Sequence, residues 1–176
     1  MLRNSNVNWA GNAFILPYTM MTFAFHFLLS KNLCNTFPSV DLPGMPWSLT
    51  NFAHGIITMF YFHWIKGTPD HYGQGDLNGM TWYEQLAASP NAELNDSFFA
   101  RRYLFLAPVV LCFLGCTTSA YEPTATVANL VVCGVCVGAK LQAMHGVRVF
   151  GINSTAGIDD DFRVKKCVGG GERKED

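Results

Sequence analysis

The sequence predicts an all-α integral membrane protein with four transmembrane helices and a cytosolic central loop. Three observations carry this. Apolar residues make up 49% of the chain and charged residues 14%, against roughly 25% charged in an ordinary soluble domain. Asp, Glu, Lys and Arg are absent from residues 4–30, 42–65, 103–121 and 123–139, runs of 27, 24, 19 and 17 residues. A helix needs about 20 mostly apolar residues, with a range of roughly 17–25, to cross a hydrocarbon core about 30 Å thick. One such run fits a buried helix of a soluble protein, but four leave too little polar surface to cover a globule.

The elements follow in order. Residues 1–11 form a short polar segment, with Asn4, Asn6 and Asn8 before Trp9. The first span is expected over Ala13–Leu29, with Pro17 in its early turns, where a helix tolerates it best. No small-x-small cleavage pattern follows this stretch, so it is expected to remain as a span rather than leave as a signal peptide. A turn-rich loop with Asn35, Pro38, Pro43, Gly44 and Pro46 leads to Trp47, placed as an interfacial aromatic. The second span is expected over Trp47–Ile65, stopped by Gly67-Thr68-Pro69. The polar segment from Asp70 to Arg102 holds one short helix near Thr81–Leu86, expected to lie on the membrane surface. Spans three and four, Tyr103–Tyr121 and Thr124–Leu141, are joined by Glu122-Pro123 and must form an antiparallel hairpin. The four-span domain thus covers 12–153. The tail 154–176 is glycine-rich and mixed in charge, which predicts disorder and dispensability.

Lys and Arg place the ends. Eleven fall on the amino terminus, the central loop and the carboxyl end, while the other two loops hold only Lys31. The positive-inside rule puts both termini in the cytosol. A net charge of −1 lacks the basic face of a nucleic-acid partner.

Nothing in the sequence resembles a catalytic centre. Glu84 is flanked by aromatics, but a lone carboxylate without a positioned partner is weak ground for acid–base catalysis. His54, His63 and His71 lack the close pairing that metal-dependent lipid oxidases use, and no metal site is expected. Cys112-x-x-x-Cys116 and Cys133-x-x-Cys136 place each pair on one side of a helix. A zinc site needs four ligands, and the expectation is soft packing residues instead. His26 reads as an interfacial or interhelical hydrogen bonder. Asn51 and His54, three apart on one helix face, read as interhelical hydrogen bonders with lipid-headgroup contact as the second use. Gly134-x-x-x-Gly138 has the spacing that lets helix backbones approach, so both glycines are expected to face a neighbouring helix. The functional alternatives left by the residues are a small multispan membrane enzyme of lipid metabolism, built on His54, His63 and Glu84, and a four-span transporter. The latter should carry charged residues at mid-span, and the four runs hold no Asp, Glu, Lys or Arg.

Five blocks, in order, resemble the Orm/ORMDL family of endoplasmic reticulum membrane proteins. Asn4-Ser5-Asn6-Val7-Asn8-Trp9 resembles its N-x-N-x-x-W opening, and Trp47-Ser48-Leu49-Thr50-Asn51 its W-T-L-T-N. His63-Trp64-Ile65-Lys66-Gly67-Thr68-Pro69 is similar to H-x-x-K-G-T-P. Leu77 to Gln85 resembles the loop that ends in W-E-Q, and His145 to Asn153 resembles H-G-V-R-I-F-G-I-N. Asp70 stands where members usually have phenylalanine, Ala100-Arg101-Arg102-Tyr103 where S-R-K-F is usual, and Ala143 where many have proline. The resemblance implies a non-catalytic regulatory subunit that binds and holds back serine palmitoyltransferase when ceramide is plentiful, giving negative feedback on sphingolipid synthesis. It implies an endoplasmic reticulum location and no cofactor, since pyridoxal phosphate belongs to the partner enzyme. It makes Asn6 the ceramide-contacting residue, with Asn4, Trp9, Asn51, His63 and Lys66 as further contacts to partner or lipid.

Overall fold

The structure is a computed structural model and describes residues 12–36, 44–67, 79–88, 96–151 and 153–154. Five α-helices order the described residues: α1 (Asn12–Thr36), α2 (Met45–Met59), α3 (Trp82–Ala88), α4 (Asp96–Thr118) and α5 (Pro123–Gly138). No strand occurs among the described residues; one isolated antiparallel bridge joins Lys66 to Thr81. Each expected span has a helix at its place, and the short helix of the central segment is α3.

Local chemistry sets the boundaries. Gly44 enters α2 in the left-handed region at φ 74° with Pro46 in the first turn, a conformation that favours glycine. A Cβ there would lie 2.3 Å from the Ser119 backbone nitrogen, so this loop docks on the end of α4. The α2 helix ends in a π-helical turn, Phe60–Trp64, before Ile65 becomes extended. Gly67 N then donates to the Met80 carbonyl at 3.1 Å, and Trp82 N to that of Ile65 at 3.2 Å. These bonds hold the start of α3 under the end of α2. Thr81 and Glu84 form a capping box there: Thr81 N donates to Glu84 Oε2 at 2.7 Å and Glu84 N to Thr81 Oγ1 at 3.4 Å, satisfying two amides at the helix start. The α5 helix opens with Glu122 accepting from Ala125 N at 2.6 Å and with Pro123 in its first turn, the position proline suits. The amide bonds also hold the exposed Glu122 carboxyl below its ordinary range.

α2 packs against α1, α4 and α5, while α4 and α5 pack as a hairpin. The interior is polar to an unusual degree. Thr50, Asn51, His54, Thr58, Ser119, Asn129 and Lys140 are buried, while Met21, Phe27, Phe52, Ile56, Phe113 and Val131 are more than half exposed. Where lipid surrounds helices, apolar burial cannot drive their association, and small or polar side chains hold the interfaces instead. Residues Phe99–Thr118 of α4 are long and apolar enough to cross a membrane; α5 is a shorter apolar helix.

One expectation, on the glycines of α5, changes. The helix α3 packs on the bundle: Tyr83 and Leu86 are 2% and 0% exposed and join Phe62, Ala100 and Leu104 in one cluster. Its apolar side found a partner in the bundle. Gly134 and Gly138 do not face a neighbouring helix, since a Cβ at either would meet nothing within 4 Å. The close approaches lie at Gly55 and Gly115. A Cβ at Gly55 would sit 2.8 Å from Val132 Cγ1, and one at Gly115 2.6 Å from Asn129 Oδ1.

Candidate functional site

The polar side chains of the helices converge on two places. The first is a cleft of about 450 Å³ between α1 and α2, within the range of small-molecule sites. Phe14, Met21, Phe25, Ile57, Tyr61, Phe62 and Trp82 make its walls apolar. Tyr18 and His54 also line it, with the Tyr18 hydroxyl hydrogen-bonded to His54 Nε2. The Tyr18 ring also meets the Tyr103 ring edge-on at 5.6 Å, and Thr19 Oγ1 shares a hydrogen bond with the Tyr103 hydroxyl at 2.6 Å. Together these tie α1 to α2 and α4. Thr22, Thr50 and Thr58 line the cleft too, but their hydroxyls donate to the carbonyls of Tyr18, Pro46 and His54 at 3.0, 2.7 and 2.8 Å. With their polarity satisfied by their own helices, the cleft offers an apolar slot beside one phenol–imidazole pair. That suits a hydrocarbon chain with a hydrogen-bonding end.

His26 sits further along α1, stacked on Trp47 with ring centroids 3.6 Å apart and its Nδ1 3.2 Å from Thr50 Oγ1. It is an interhelical hydrogen bonder. Asn51, fully buried, donates to Asn129 Oδ1 at 2.9 Å, and Asn129 donates to Ser48 Oγ at 2.8 Å and to the Ala125 carbonyl at 2.9 Å. Its amide donors are therefore used between α2 and α5. Sequence reasoning found the shared face of Asn51 and His54, yet had no means of finding Asn129, 78 residues away, as the partner.

The second place lies at the far end of α2, where Glu84 joins two chain segments. Arg148 donates to Glu84 Oε1 from Nη1 at 3.0 Å and to Oε2 from Nη2 at 3.1 Å. Gly146 N adds a third bond to Oε1 at 2.8 Å, and Arg148 Nη2 also reaches the Gly79 carbonyl at 2.6 Å. Burial pushes the Glu84 carboxyl up, but the Arg148 hydrogen bonds and the Thr81 and Gly146 amides outweigh it, so the carboxyl sits below its ordinary range. Glu84 was a lone carboxylate in the sequence; Arg148, its partner, is missed there because the two are 64 residues apart. Gln85 continues the anchoring, donating to the Gly67 carbonyl at 2.8 Å. Tyr83 lies between His63 and His145, at 5.1 and 6.4 Å between ring centroids, with the Arg101 guanidinium 5.9 Å over its ring. Burial raises the Tyr83 phenol, and Arg101 opposes it. His63 thus packs on the α3 aromatic, and Lys66 supplies the backbone of the bridge to Thr81.

Lys140, at the end of α5, is buried, and its Nζ donates to the Cys136 carbonyl at 3.1 Å. Cys34, Cys112, Cys116, Cys133 and Cys136 are free thiols, and among the described residues no group of three potential ligands could hold a metal ion. Asn4, Asn6, Trp9 and His71 lie outside the described residues, as does most of the tail.

Comparison with known proteins gives one consistent family. The profile of the ORMDL family matches residues 4–148. Human ORM1-like protein 3 is 35% identical over 118 residues, covering 66% of this chain and 72% of the relative. ORM1-like protein 2 of Gallus gallus is 31% identical over 139 residues, 78% of this chain and 84% of the relative. An uncharacterised protein of Schizosaccharomyces pombe is 28% identical over 160 residues, 90% of this chain and 80% of the relative.

Proposed function

The chain belongs to the ORMDL family, and from that membership we propose that it is a non-catalytic, lipid-sensing subunit of serine palmitoyltransferase in the endoplasmic reticulum membrane. It crosses the membrane four times with both termini cytosolic, and it holds the transferase back when ceramide accumulates. The observation that carries the lipid-binding part is the cleft between α1 and α2: apolar walls, satisfied threonines, and the Tyr18–His54 pair beside them. The cleft reaches Phe14, near the start of α1, and in the sequence Phe14 closely follows the segment that contains Asn4, Asn6 and Trp9.

In this reading Asn6 contacts the ceramide headgroup, because a side-chain amide offers two donors and an acceptor to a ligand carrying hydroxyls and an amide. The hydrocarbon occupies the apolar slot. Ceramide that bridges residues 1–11 to the transferase favours the blocked arrangement by the difference in its affinity for the two states. The pyridoxal phosphate of the reaction stays with the partner.

Asn6→Ala tests the proposal. Purified in mild detergent, the variant should still bring down the larger pyridoxal-phosphate enzyme and lose the added inhibition caused by ceramide. A variant complex with normal ceramide sensitivity would remove Asn6 from the mechanism. Failure of the parent chain to co-purify with the transferase would remove the regulatory role itself.

A further inference from the structure

We propose that Val147, Val149 and Phe150 form a preformed apolar knob that inserts into the headgroup–acyl boundary of the bilayer, anchoring the carboxyl end of the protein to the membrane surface. Phe150 is 94% exposed, while Val147 and Val149 are 41% and 48% exposed. A single exposed apolar side chain is ordinary on any protein surface. Phe150 differs because its backbone is in the left-handed region, at φ 56° and ψ 20°, where a bulky residue is a genuine outlier. Such a conformation persists only where surrounding structure dictates it, and it points to function rather than accident.

The surrounding structure does dictate it. On one side Gly146 N and the Arg148 guanidinium are fixed on Glu84, and Arg148 also on the Gly79 carbonyl. On the other side Asn153 Nδ2 donates to the Trp64 carbonyl at 2.5 Å. Gly151 N closes the turn by donating to the Arg148 carbonyl at 3.0 Å. Gly146 and Gly151 take positive φ of 71° and 72°, so the backbone reverses at both ends of the apex. The chain is pinned twice, and the residue between the pins is turned to the outside.

The bilayer suits the knob on position. The Asn153 bond puts it beside the end of α2, where Tyr61 and Trp64 are 50% and 52% exposed, and aromatic side chains gather at the boundary of the hydrocarbon core. The inference rests on the multispan reading, because only then does the end of α2 mark the membrane boundary.

The test is a photo-crosslinker, p-benzoylphenylalanine, introduced at Phe150 of the full chain in nanodiscs of phosphatidylcholine with phosphatidylserine, and separately at Val131 on the exposed face of α5. Irradiation should add the mass of one phospholipid to the peptide holding position 150. Peptide with no lipid adduct at 150, in protein that melts at the parent's temperature, would overturn the knob. So would adducts only to another protein when the same variant is irradiated in native membranes. The Val131 probe separates the two readings: lipid adducts there without any at 150 sink the knob and leave the spans standing. Adducts at 150 alone uphold the knob and count against α5 as a span. Phe150→Gly serves as a second variant. Glycine tolerates the left-handed backbone, so its melting temperature should not fall. In discs the 146–154 amides should then exchange faster than in the parent, and unchanged exchange would count against the anchor.

Discussion

Four donors from two segments converge on the Glu84 carboxylate: Thr81 N, Gly146 N and both terminal nitrogens of Arg148. The side chains of the pair are 10% and 8% exposed, so water cannot replace a lost partner. Removing one member of a buried pair leaves an uncompensated charge and costs about 3–5 kcal/mol. Glu84→Ala should therefore cause a large loss of thermal stability in detergent, and adding Arg148→Met should recover much of it, since an apolar residue of similar size tolerates the site. If the double variant melts no higher than the single one, Arg148 is not the reason for the loss. The pH dependence follows from the same geometry. The carboxyl is held below its ordinary value of 4.5, so folding favours the ionised form. That stability is fully present above the ordinary value and is lost as pH falls through the folded one. Melting temperature measured against pH should show the gap between the parent and Glu84→Gln narrowing only on the acid side. A gap that stayed constant through that window would exclude Glu84 as the titrating group.

At the scale of the helix, the close contacts distinguish glycines that sequence spacing could not. Gly134 and Gly138 satisfy the small-x-x-x-small pattern, yet that face of α5 meets no side chain or neighbouring backbone within reach of a Cβ. In α4, Gly115, four residues before Ser119, is where α5 comes close. Asn129 Oδ1 would be 2.6 Å from an added methyl, and Asn129 cannot swing away without leaving Asn51 and Ser48. Overpacking of this kind costs about 1–3 kcal/mol. Gly115→Ala should lower the melting temperature while Gly138→Ala leaves it level or higher, because alanine is the better helix former. Equal effects at the two positions would mean that the α4–α5 contact is not held by this approach. The helix α3 makes the same point from the other direction. Thr81-x-x-Glu84 is a capping box that can be read in the sequence, and it started the helix as expected. Its burial required Phe62, Ala100 and Leu104 to supply a surface, and these lie on two other helices.

Over the whole molecule, the spread of charge and the exposed apolar faces of the helices make one arrangement testable. Glycosylation tags inserted after Asn35 and after Glu122 should be modified in cells, and a tag after Asp76 should not. Modification at Asp76 would overturn the four-span orientation, whatever the family. The sequence alone determined the order and approximate places of the described helices. Charge-free runs, prolines and caps act within a few residues of each other and need no tertiary context. Family membership was legible for the same reason, as five short blocks in order. Only the tertiary structure decided which polar residues meet. The Asn51–Asn129, Tyr18–His54 and Glu84–Arg148 pairs join residues 78, 36 and 64 positions apart, and each partner is chosen by how the helices pack and not by any local spacing. The cleft between α1 and α2 and the exposed apex at Phe150 belong to that second class, since a cavity and a solvent-facing side chain exist only once the rest of the chain has been placed around them.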